Sequence, residues 1–73
     1  MSNKIENIIK DFHMFCICGD IESVRNLFES VDDKIKKVIL KSGDYMGFRF
    51  AFFSKKSDVL KYLMKEFLRL EGE

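Results

Sequence analysis

Ile5, Ile8, Ile9, Phe12 and Cys16 recur three and four residues apart, which places them on one face of a helix. Asn3 with Glu6 three residues later forms a capping box, and the pattern predicts a helix to about Ile17. Gly19 is the expected stop, and Asp20 caps a second helix whose Ile21, Val24, Leu27, Phe28 and Val31 again share a face. Ser30, Asp32 or Asp33 starts a third helix, with Ile35, Val38 and Ile39 inside and Lys34, Lys36, Lys37 and Lys41 outside. Gly43 closes it as a left-handed residue, and this glycine stop weighs against a strand through residues 37–40. A turn at 44–47 leads to Phe48, Phe50, Ala51, Phe52 and Phe53, a stretch with almost no polar face that is expected to be covered on more than one side. Ser57 caps the last helix, striped by Val59, Leu60, Leu63, Met64, Phe67 and Leu68, with residues 70–73 expected to fray. The prediction is an all-α domain spanning residues 1–73, with about five short helices in antiparallel hairpins.

Self-comparison adds a repeat. Residues 12–27 lie over residues 48–63 without a gap at a period of 36, matching Phe12 with Phe48, Val24 with Leu60 and Leu27 with Leu63. The repeat-like units run over about 12–30 and 48–68, with a helical connection over about 31–44. In the first unit, C-I-C-G-D-I-E-S-V-R-N-L at 16–27 resembles the ankyrin pattern A-x-x-G-D-x-E-x-V-x-x-L, and His13 stands where that family's usual histidine stands. In the second, G-F-R-F-A-F-F-S-K-K-S-D-V-L-K-Y-L at 47–63 is similar to a divergent form of the same repeat. The two units cover about half of the chain.

Both units depart from the family pattern. Neither carries the Thr-Pro that opens the family's first helix, since Lys10-Asp11 and Met46-Gly47 stand there. Lys55 replaces the inter-helix glycine and Ser57 a usual leucine or isoleucine, so a longer turn is expected in the second unit. The connection also lacks the family's hairpin finger.

The resemblance implies hairpins stacked in an ankyrin-like array, with the first helices of successive units lining an inner face. Carried over position by position, Met14 and Phe50 fill one exposed slot of that face and Ile17 and Phe53 another. Arg49, Lys55 and Lys56 flank them. All four slot residues are apolar, and full burial of each is worth about 1.5–3 kcal/mol. The expected function is a non-catalytic protein-protein interaction module binding a protein partner or itself. Repeat arrays usually need about three units, so a homodimer that completes the core is among the expected outcomes. The competing expectation for the strip is that the connection helix or the N-terminal helix folds over it.

Composition narrows the partner classes. With 13 basic and 12 acidic residues interspersed, no long-range field attracts nucleic acid or an anionic membrane. A helix-turn-helix-like nucleic-acid regulator is the alternative reading, but the second helix offers Glu22 and Glu29 beside Arg25. No apolar run approaches the ~18 residues of a membrane span, and residues 1–10 lack a signal peptide's apolar block. The last helix is amphipathic enough for a membrane surface, but its stripe is needed for packing. A soluble, intracellular, cytoplasmic protein is therefore expected.

Candidate chemistry is sparse. Cys16 and Cys18 point about 200° apart on a helix and are expected to stay reduced. One histidine gives no ligand set for a metal, and Asp32-Asp33 reads as a helix start. Residues 43–47 are too sparse in glycine to cradle phosphate. Cys16, three residues after His13, can approach it only on the same helix face, and proximity alone does not make it a nucleophile with His13 as base. No cofactor, small-molecule substrate or enzymatic activity is expected.

Overall fold

A computed structural model describes residues 4–72, and it is all-helical over them. The helices are α1 (Lys4–Cys18), α2 (Ile21–Glu29), α3 (Asp33–Phe53) and α4 (Ser57–Glu71). Among the described residues the helices number four, against the expected five or so. The expected third and fourth helices are joined in α3, which carries a break. Ser42 leaves helical geometry at ψ 141°, and Gly43, Asp44 and Tyr45 then take φ of 61°, 59° and 63°. Three successive left-handed residues redirect the chain without an intervening loop. The capping box at Asn3 lies outside the described residues.

Two side-chain caps follow the sequence. Asp20 accepts from the Ser23 N–H at 3.1 Å and from its hydroxyl at 2.6 Å, and Asp32 accepts from the Ile35 N–H at 2.9 Å. The two hairpin turns are closed identically. After α1, Gly19 N–H donates to the Cys16 carbonyl and Asp20 N–H to that of Phe15; after α3, Lys55 N–H donates to Phe52 and Lys56 N–H to Ala51. These are paired Schellman bonds around a left-handed residue, Gly19 at φ 71° and Lys55 at φ 57°. The second turn is therefore no longer than the first, contrary to expectation. Lysine adopts the conformation glycine takes 36 residues earlier.

The core consists of Phe12 and Cys16 from α1, Val24 and Phe28 from α2, Ile39, Leu40 and Ala51 from α3, and Val59, Leu63 and Leu70 from α4. Leu70 is buried and α4 continues to Glu71, so this end is packed where fraying was expected. The Arg69 guanidinium, 3.4 Å from Asp33, and Lys41, 3.4 Å from Glu71, tie it to α3, and Arg69 also pairs within α4 with Glu66 at 2.9 Å. Val38, expected inside, is exposed, and Leu40 is buried in its stead.

The hairpins lie side by side and run in the same sense. A Cβ built on Gly47 would stand 2.4 Å from Phe12 Cε2, and one on Gly19 would stand 2.5 Å from Lys56 Cδ, so α1 meets segment 46–53 near both ends in parallel register. Phe28 packs edge-on to Tyr62 at 5.8 Å, and the Arg25 guanidinium lies over the same ring. Gly47 is what lets α3 approach the Phe12 ring so closely.

Burial does not follow the sequence period. The buried residues of the first hairpin, Phe12, Cys16, Val24 and Phe28, are answered in the second by Gly47, Ala51, Val59 and Leu63, each 35 residues on. Turns repeat at 36 and burial at 35. One residue is about 100° of rotation, so the two hairpins bury different sides of equivalent helices.

Candidate interaction surface

α1 and segment 46–53 carry five of the six residues expected to bind a partner, and the turn after α3 carries the sixth, Lys55. Met14 is 57% exposed, Ile17 46% and Phe53 74%, so neither the connection helix nor the N-terminal helix covers them. Phe50 is half-buried, its ring 6.0 Å from His13 and edge-on to it. Arg49 is exposed and turns back to Asp44, 3.4 Å from its carbonyl and 3.8 Å from its carboxylate. Lys55 is exposed at the turn where its backbone is left-handed. The phenylalanine-rich segment is covered on two flanks, by α1 and by α4, as expected, while Phe52 and Phe53 face outward. The two rings pack against each other at 5.7 Å.

His13 joins this surface to the break in α3. The Ser42 hydroxyl donates to the Ile39 carbonyl at 2.6 Å, so its oxygen is left to accept from His13 Nε2–H at 3.2 Å. Burial lowers the histidine pKa below its ordinary value against the opposing influence of the Ser42 backbone. The imidazole is thus a neutral donor holding α1 to the residue where α3 bends.

The Cys16 thiol is held in its protonated form. Cys16 is fully buried, and desolvation pushes its pKa up to about 12, so it stays protonated at neutral pH. Cys18 is exposed, and both cysteines are free. Among the described residues no three His, Cys, Asp or Glu side chains gather into a metal-binding group, and no helix is long and apolar enough to cross a membrane.

The sequence pattern missed a second apolar surface. A groove of about 370 Å³ is lined by Tyr45, Phe48, Leu60, Met64 and Phe67, with Met64 50% exposed, and Phe52, 65% exposed, follows Phe48 by about one helical turn. The groove's rings are mutually edge-on: Tyr45 to Phe48 at 5.9 Å, Tyr45 to Phe67 at 6.1 Å and Phe48 to Phe67 at 6.0 Å. The breadth of the α4 stripe, wider than one packing partner needs, was the available signal. Comparison with protein-family models, curated proteins and solved structures yields no match to this chain.

Proposed function

We propose that this protein is a non-catalytic protein-binding module built from two ankyrin-like hairpins, whose inner-helix surface docks a partner protein. The observation that carries the reading is the exposure of Met14, Ile17 and Phe53 on two parallel, adjacent helices. Side chains of this size left in water on a domain this small offer about 1.5–3 kcal/mol each if a partner buries them fully. Phe50 supplies a ring held by His13, and Arg49 and Lys55 supply charge at the margin.

The ankyrin-like part of the proposal rests on three relations: the period of 36, the matched Schellman turns at Gly19 and Lys55, and the parallel side-by-side hairpins. The one-residue offset in burial fits the same reading. In a two-unit stack the first unit buries the side facing onward and the second the side facing back, which are different sides of equivalent helices. A twofold relation between the hairpins is disfavoured, because Phe12 on Gly47 would then be matched by Phe48 on Asp11, and Asp11 is exposed. We place the module in a reducing intracellular compartment, in keeping with its two free thiols.

The test is affinity capture with the wild-type chain and with an Ile17→Ser, Phe53→Ser variant, followed by binding measurements on each purified candidate. Circular dichroism and thermal melts check that the variant stays folded. A partner that binds wild type and is lost with the variant supports the reading. Equal binding by both forms moves the site off this strip and overturns it.

A further inference from the structure

The two ends of the hairpin pair differ in chemistry. Outward on the first hairpin, the counterparts of buried Gly47, Ala51, Val59 and Leu63 are Asp11, Phe15, Ser23 and Leu27, which with Asn26 line a half-polar groove. Outward on the second, the counterparts of buried Phe12, Cys16, Val24 and Phe28 are Phe48, Phe52, Leu60 and Met64. Terminal units of a stack carry polar outer faces because nothing packs on them. The first hairpin has such a face and the second does not.

We propose that the outer face of the second hairpin is a self-association surface, through which two chains join face to face about a twofold axis. A twofold contact brings residues near the axis against their own copies, which a charged face does only with like-charge repulsion. The lining Tyr45, Phe48, Leu60, Met64 and Phe67 contains no charged residue. Docking onto the opposite end of another chain is the poorer match. It would bury the Asp11 carboxylate against Phe48, where the junction inside the chain sets Phe12 on Gly47, and would set Phe15 against Phe52, the counterparts of the smaller Ala51 and Cys16. The rings of Tyr45, Phe48 and Phe67 brace one another edge-on, so the platform is formed before contact and little ordering opposes association. This surface is distinct from the strip of Met14 and Ile17, which the dimer leaves open on α1.

The test is sedimentation velocity on the full chain over a concentration series, with Phe52→Glu, Met64→Glu and the inner-strip variant Met14→Ser, Ile17→Ser alongside. The expected result is a reversible wild-type dimer, at least tenfold weaker dimerisation in each glutamate variant, and dimerisation retained in the inner-strip variant. Far-ultraviolet circular dichroism confirms that each variant is folded. Oxidative cross-linking in a Cys18→Ser background reads the symmetry: Met64→Cys chains are expected to form covalent dimers with themselves. Wild type that stays monomeric throughout, or a dimer that persists in both glutamate variants, overturns the proposal. So does cross-linking that requires mixing Asn26→Cys with Met64→Cys chains, the signature of head-to-tail contact. Failure here leaves the inner-strip reading intact, since that one is decided by partner binding to the Ile17→Ser, Phe53→Ser variant.

Discussion

Replacing Lys55 with glycine is expected to stabilise the protein. Lys55 holds φ 57° at the left-handed position of a Schellman motif that 36 residues earlier is filled by Gly19 at φ 71°. A side-chain-bearing residue in that region costs about 1–2 kcal/mol through the approach of its Cβ to the backbone. Glycine removes this cost but adds about 0.4–1 kcal/mol of unfolded-state entropy to be lost on folding. The net gain is about 0.5–1 kcal/mol, or roughly 2–8 °C in Tm for a domain of this size. Urea denaturation with unchanged slope, backed by a thermal melt, measures it. Lys55→Ala separates backbone from charge, because it keeps the left-handed β-carbon and removes the ammonium; its stability should stay near wild type. If Lys55→Gly leaves the midpoint unchanged or lowers it, then the equivalence of the two turns, and the strain assigned to the second, is wrong.

Further outcomes follow from the same geometry. Gly47→Ala should destabilise by about 1–3 kcal/mol in urea despite alanine's better helix propensity, because the new methyl meets the fully buried Phe12 ring 2.4 Å away. Lys56→Asp should stabilise by about 1 kcal/mol by giving α4 the side-chain cap that Asp20 gives α2 and that Lys56 does not provide; Asp20→Ala should cost a similar amount. His13 has a pKa lowered by burial, so its contribution is fully present above its unfolded value of about 6.5 and is lost as pH falls through the folded value. Urea midpoints measured between pH 8 and pH 5, a range set by the ordinary histidine pKa of about 6.5, should therefore fall on acidification, and His13→Gln should flatten that fall.

Much of the local structure was legible in the sequence because it depends on neighbours a few residues apart. Asp20 and Asp32 are caps whichever way their helices pack, and Gly19 stops α1 because it alone in its vicinity takes a positive φ without strain. The spacing of Ile5 to Cys16 and of Val59 to Leu68 fixes helices with one apolar side, and the period of 36 pairs the hairpins. The slots at Met14, Ile17, Phe50 and Phe53 were assigned by resemblance, and three of the four are openly exposed while Phe50 is half-covered by its contact with His13.

Tertiary packing decided which part of each apolar stripe became core. A helix stripe wider than its partner leaves its rotation open, and that choice was made by Phe12 settling on Gly47. It shifted burial in the second hairpin by one residue, buried Ala51 and left Phe52 and Phe53 in solvent. The same packing holds Lys55 in a glycine conformation, since the Schellman bonds and the docked α4 fix a backbone that its own preference resists. Segment 48–53 looked too apolar to be left open because composition counts residues without regard to direction. In three dimensions α1 and α4 cover two of its flanks, and the direction in which Phe52 and Phe53 point has no partner within the described residues.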